Sequence, residues 1–266
     1  MVRPLLIVGD VQGDAERLRE ALAPYPEHEV ETIFLGDFFQ GGRPGDAGGA
    51  AAARIARQRS ASRSILGNHD LFLLGVLDEV RTGVTPEPVV RAGWGTLAEV
   101  WLKRRGDWAD LRAVDEDKGL EAWLRSLPLM LLLEDGTLIQ HADDDAYGEV
   151  GETVAEVNAW AAATLETPHG SWEVWRRTIG RRAFEDEGRL DAHLARFGGR
   201  RLVHGHTPHR GDRPQAAHGG RLWGFDGCFS RYWDPNGEGT GPVEATVGLL
   251  PPLDEPAPAG ERGLSR

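Results

Sequence analysis

Three short apolar runs, Leu5 to Val8, Thr32 to Leu35 and Ser64 to Leu66, each stop at a sharp polar turn. The turns read Gly9-Asp10, Gly36-Asp37 and Gly67-Asn68-His69-Asp70. A short apolar run closed by glycine predicts a buried strand whose end turns abruptly. Between the runs, Asp14 to Ala23 sets Ala15, Leu18, Ala21 and Leu22 on one helical face, and Gly49 to Gln58 is rich in alanine. Strands that alternate with helices predict an α/β sheet.

The same signals organise the rest of the chain. From about Leu71 to Leu127 the spacing of Trp94, Leu97, Trp101, Leu120, Trp123 and Leu124 predicts helices, which would form a cap beside the sheet. Strands resume at Leu129 to Leu133 and Leu138 to Gln140, with Asp135-Gly136 suited to the hairpin between them. Helices are predicted at Glu152 to Leu165, Ser171 to Arg182 and Arg189 to Phe197, and strands at Arg201 to Val203, Arg221 to Phe225 and Val243 to Leu249. One domain is expected over residues 1–250. The Pro-rich tail, 251–266, lacks the apolar surface to fold and is expected to be disordered.

Bulk properties exclude several classes of function. A net charge of −12 argues against a binder of duplex nucleic acid, which needs clustered cations along phosphates. No apolar run approaches the roughly 20 residues that span a bilayer. The N-terminal apolar stretch is too short for a signal-peptide core, so a cytoplasmic protein is expected. Cys228 is the only cysteine, so any metal must be held by nitrogen and oxygen donors.

Five segments rich in such donors fall at five predicted strand ends: Asp10-Val11-Gln12, Asp37, Asn68-His69, His141 and His206. Ligands of α/β sheets gather at the carboxyl ends of strands, so these loops can converge on one site. Two cations about 3.5 to 4 Å apart need a bridging carboxylate, further oxygen or imidazole donors, and open positions for water and substrate. Asp37 is the natural bridge.

In this order, Gly-Asp-Val-Gln-Gly at 9–13, Gly-Asp-Phe-Phe-Gln-Gly-Gly at 36–42, Gly-Asn-His-Asp at 67–70, His-Ala-Asp at 141–143 and Gly-His-Thr-Pro at 205–208 resemble the signature of calcineurin-like metallophosphoesterases. The similarity is nearest to the bacterial serine/threonine-phosphatase-like branch and to symmetrical diadenosine tetraphosphatase. It implies a four-layer α/β/β/α sandwich with mixed sheets. It also implies that Asp10 and Gln12 hold a first metal, that Asp37 bridges, and that Asn68, His141 and His206 complete a second. The two divalent ions would be Mn²⁺, with Fe, Zn or Co as alternatives. A metal-bridging hydroxide would attack phosphorus, with His69 as general acid for the leaving oxygen.

Two departures from the family pattern bear on the substrate. Where the family has an aspartate that orients the catalytic histidine and an arginine that holds phosphate, this chain has Gln40 and Gly41. Gln40 is expected to hydrogen-bond His69, and Arg43, Arg176 or Arg177 to replace the lost arginine. Asp143 stands where the family has glycine, and Asp143, Asp144 and Asp145 read either as a turn or as an acidic patch that repels anionic substrates or recruits a cation. The expected substrate is a phosphorylated small molecule, a dinucleoside polyphosphate or a phosphoprotein. A metal-binding pseudo-phosphatase without turnover is the alternative outside the enzyme class.

Overall fold

Alternate residues of each central strand go to different layers. In β1 (Leu5–Val8), Leu6 and Val8 pack toward helices while Ile7 points to the other side; in β2 (Glu31–Phe34), Phe34 and Ile33 divide in the same way. This is the two-residue period of a strand buried on both faces. The residues of the second set, Ile7, Ile33, Leu35, Ile65, Ile139, Val203, Trp223 and Phe225, form one apolar layer shared by two sheets. The computed structural model describes residues 3–232 and 240–253.

The first sheet has the order β3-β2-β1-β9, with β3 at Ser62–Ser64 and β9 at Val247–Leu249. Its first three strands run parallel and β9 is antiparallel to β1. The second has the order β4-β5-β6-β8-β7 and comprises β4 (Met130–Leu132), β5 (Thr137–Gln140), β6 (Arg201–His204), β7 (Gln215–Ala217) and β8 (Leu222–Gly224). Here β5, β6 and β8 are parallel, while β4 and β7 pair antiparallel at the two edges. Two mixed sheets face to face, with helices against their outer faces, make the α/β/β/α sandwich that the motifs imply.

Helices α1 (Ala15–Leu22) and α2 (Gly48–Gln58) connect the parallel strands of the first sheet, as expected. Asp14 starts α1 by accepting the Arg17 N–H at 3.1 Å, a side-chain N-cap. The segment expected to form the cap is helical, with α3 (Asn68–Thr82), α4 (Glu87–Arg91), α5 (Leu97–Lys103), α6 (Trp108–Glu116) and α7 (Lys118–Ser126). Helices α8 (Val154–Leu165), α9 (Gly170–Trp175) and α10 (Glu187–Phe197) follow β5.

Two expectations about elements change, and one strand was not expected. The helix expected over 171–182 stops at Trp175, because β-branched Thr178 and Ile179 precede Gly180 and Arg182 takes a left-handed φ of +61°. The strand expected over 243–249 begins only at Val247, after a 3₁₀ turn at Val243–Ala245. The polar strand β7 had no apolar alternation to announce it. Residues 254–266, most of the Pro-rich tail, lie outside the described residues.

Candidate active site

Asp37 follows β2 on a backbone with φ +54°, and the neighbouring Gly36 has φ +90°. A side chain at 36 would put its Cβ 2.2 Å from the Gly67 nitrogen, so the ends of β2 and β3 can touch only because residue 36 is glycine. Asp70 then pins the junction: its carboxylate accepts the Asp37 N–H at 2.9 Å, the Phe38 N–H at 2.8 Å and the Gly67 N–H at 2.9 Å. Burial, with Asp37's charge close by, raises the Asp70 carboxyl to about 7. The result places Asn68 and His69, at the start of α3, against the Asp37 side chain.

Asp37 is 1% exposed and surrounded by nitrogen. The His69 backbone N–H donates to its Oδ1 at 2.8 Å, His141 Nε2 lies 3.3 Å from Oδ1, and His69 Nδ1 lies 3.6 Å from Oδ2. Burial alone would raise this carboxyl, yet the charges of His141 and His69 hold it well below the usual carboxylate range.

His141 follows β5 and is fully buried. Its Nδ1 faces the Leu35 carbonyl at 2.8 Å, which can only accept, so Nδ1 carries the proton. That leaves Nε2 directed at Asn68 Oδ1, 2.9 Å away, and at Asp37. A metal-ligating histidine has this arrangement, one ring nitrogen tied to a carbonyl and the other aimed at the ion. Burial works against protonation of His141, but Asp37 and Asp10 outweigh it and push the imidazole up to about 10. His206, after β6, has φ +62° and its ring centroid is 5.0 Å from that of His141. Burial and the charges of His141 and Arg181 push His206 well below the ordinary value. Its backbone N–H donates to both oxygens of Asp10, at 3.0 and 3.2 Å.

The donor set suits a divalent cation. Asp37, His141 and His206 are all buried, and each offers a ligand atom within 4.8 Å of the others'. Asp10 is 1% exposed, and burial together with the charges of Asp226 and Asp37 raises its carboxyl well above the usual range. Gln12 is held at φ +48° with its N–H on the Asp37 carbonyl at 2.9 Å, and its buried Oε1 has no hydrogen-bond partner among the described residues. A buried acceptor left over is what an added cation would satisfy.

The structure brings Asp10, Gln12, Asp37, Asn68, His69, His141 and His206 to one end of the sandwich. The other four sequence candidates have partners elsewhere. Gln40, at φ +67°, donates its amide to the Arg104 carbonyl of the cap at 2.6 Å, and its buried Oε1 has no partner among the described residues. The backbone contact to the His69 ring comes from Phe39. Arg43 is 68% exposed and lies 3.8 Å from Asp46; Arg176 lies 3.3 Å from Glu173; Arg177 pairs with Glu149.

The arginine that does reach the cluster is Arg181, whose Nε donates to His206 Nε2 at 3.1 Å. Its charge is felt by His69, His206 and Asp226. Periodicity hid it, because a continuous helix to residue 182 would have carried it elsewhere; Gly180 was the available clue. Asp226 was the other omission. It is 2% exposed and, through burial, raised to about 6, and it follows Phe225, whose carbonyl abuts Gly9 so closely that a Cβ there would lie 1.8 Å away. In the acidic run, Asp145 forms a two-pronged pair with Arg189 at 2.7 and 3.0 Å, and Asp144 accepts the Ala146 N–H at 2.7 Å.

The family model described as calcineurin-like phosphoesterase matches residues 3–210. Over 162 residues the chain is 27% identical to a symmetrical bis(5'-nucleosyl)-tetraphosphatase of Ralstonia nicotianae, which covers 61% of this chain and 49% of the relative. The chain thus spans about half the length of the curated relative it matches. The crystal structure of a cold-active protein-tyrosine phosphatase from the psychrophile Shewanella sp. superposes with a TM-score of 0.61 at 17% identity, over 94% of this chain and 81% of that one, and so shares its fold. With five ordered motifs on one sandwich and a family match over most of its length, the chain belongs to the calcineurin-like phosphoesterase family.

Proposed function

We propose that this protein is a dinuclear metal-dependent hydrolase of phosphate esters or anhydrides. The observation that carries the reading is the buried Asp37–His141–His206 group with His69 against Asp37 and Arg181 against His206. Asp10, Gln12 and Asp37 would hold one divalent ion, and Asp37, Asn68, His141 and His206 the other. When bound, the ions would supply an activated water and neutralise charge that develops at phosphorus.

The protein's own groups do the rest. His69 is 15% exposed on its side chain, the one imidazole of the cluster that meets solvent and substrate. Burial lowers its pKa, with Asp37 opposing; its place at the edge of the cluster is what fits it to pass a proton to a leaving-group oxygen. Arg181 stands where a phosphoryl oxygen would approach His206, and a guanidinium can grip two such oxygens at once. Gly41 has no side chain to offer phosphate, so Arg181 takes the part of anion clamp.

Gln12 offers a neutral oxygen in place of an imidazole, which favours a hard ion such as Mn²⁺ at the first position. The substrate classes proposed are dinucleoside polyphosphates, the class acted on by the Ralstonia relative, and phosphorylated peptides or small molecules. The site of action proposed is the cytoplasm; among the described residues no helix is long and apolar enough to cross a membrane. A panel of dinucleoside tetraphosphate, phosphoserine peptide, phosphotyrosine peptide and aryl phosphate, each run with Mn²⁺, Zn²⁺, Co²⁺ and Fe²⁺, tests the reading. Turnover of at least one substrate, highest with Mn²⁺, is expected; no turnover with any metal would sink it in favour of a binding protein.

A further inference from the structure

Asp143 is 4% exposed, and both of its carboxylate oxygens are engaged by other loops. Oδ2 accepts the Arg182 N–H at 2.9 Å, Oδ1 accepts the Thr207 hydroxyl, and the Asp143 carbonyl accepts the Ala183 N–H at 3.0 Å. One side chain therefore joins three segments: the loop after β5 that carries His141, the turn at 181–183, and the loop after β6 that carries His206. The turn needs the anchor. Arg182 has φ +61°, a left-handed conformation that a residue with a side chain adopts at a cost. Arg181, immediately before it, is the residue whose Nε reaches His206 Nε2.

We propose that Asp143 is a positioning residue for Arg181: it locks the 181–183 turn so that the guanidinium stands preformed over the metal-binding histidines as the clamp for the substrate's phosphoryl group. This rests on the phosphoesterase reading above and on Arg181 as the clamp. A clamp held in place before the substrate arrives loses less freedom on binding than one on a free loop. The competing idea, an acidic group that repels anionic substrates, does not suit a carboxylate that is buried and engaged at both oxygens.

The test compares wild type, Asp143→Ala, Asp143→Asn, Arg181→Ala and the Asp143→Ala/Arg181→Ala double variant, all loaded with Mn²⁺. Three quantities are read: inorganic phosphate affinity by calorimetry, bound metal per chain, and KM and kcat on an aryl phosphate. Asp143→Ala is expected to weaken phosphate roughly tenfold and to raise KM more than it lowers kcat, with metal content unchanged. Asp143→Asn should stay within about twofold of wild type, because its amide oxygen can accept from Arg182 and the Thr207 hydroxyl can turn to accept from its NH₂. The double variant should be no worse than Arg181→Ala alone.

Tighter phosphate binding in both Asp143 variants would overturn the proposal and establish repulsion instead. Additive losses in the double variant, or loss of metal with phosphate affinity per loaded chain unchanged, would overturn it too. Should Asp143→Ala not fold, Thr207→Val removes one contact and keeps the other; a smaller loss of phosphate affinity supports the proposal and no loss contradicts it. If wild type turned over nothing yet phosphate binding followed this pattern, the enzyme reading would fall while the positioning role stood.

Discussion

His141 makes the site's chemistry a contest between a proton and a metal. Burial in an apolar surround lowers an imidazole's pKa, but Asp37 and Asp10 reverse that and raise it from 6.5 to about 10. A histidine can ligate only after its proton leaves. Below about pH 6.5 the proton is held in folded and unfolded chains alike; between there and about 10 the metal-free fold keeps a proton that a metal must expel. Metal binding at pH 7.5 is therefore expected to release at least the His141 proton, with Asp10, whose carboxyl is also raised, adding to it, and to tighten as pH rises. Calorimetry in buffers of different ionisation enthalpy would read this directly, and binding heats that do not depend on the buffer would refute it. Asp37 cannot supply the same signal, since it is already ionised throughout that range.

At the scale of elements, the site depends on two strand ends, those of β2 and β3, being allowed to touch. Gly36 meets the Gly67 backbone at a separation no side chain tolerates, and its φ of +90° excludes other residues independently. Gly36→Ala is expected to cost about 2 kcal/mol or more of stability, from the strained φ plus the displaced strand end. The same displacement should lower metal affinity, because Asp37 and Asn68 flank the contact. Urea unfolding and a metal titration would measure both, and a variant with wild-type stability would show that the strand ends have slack. The ligand segments could be read from the sequence because each is a local pattern: a short apolar run and then a donor, with a glycine between them at Asp10, Asp37, Asn68 and His206 and none before His141. β7 could not be read, since Gln215, Ala216 and Ala217 form a strand only by pairing with β8 at the sheet edge.

Across the whole molecule, the cap and the acid loops decide which side chains face the site. Arg104 belongs to the cap, 64 residues from Gln40, and its carbonyl takes the glutamine's amide; no local pattern could announce that contact. Arg181 likewise depends on Asp143, far away in the chain, and on where α9 ends. Residues whose place depends on backbone spacing were legible; residues whose reach depends on a distant loop were not. The central claim is that this one end of the sandwich binds divalent ions through Asp37 and hydrolyses phosphate esters or anhydrides. The most direct measurement is bound metal per chain beside the Mn²⁺-dependent hydrolysis of an aryl phosphate, in wild type and Asp37→Asn. Two ions in wild type, fewer in the variant, and a loss of turnover of at least about a hundredfold are predicted. Unchanged metal content, or turnover that survives in the variant, would contradict the account.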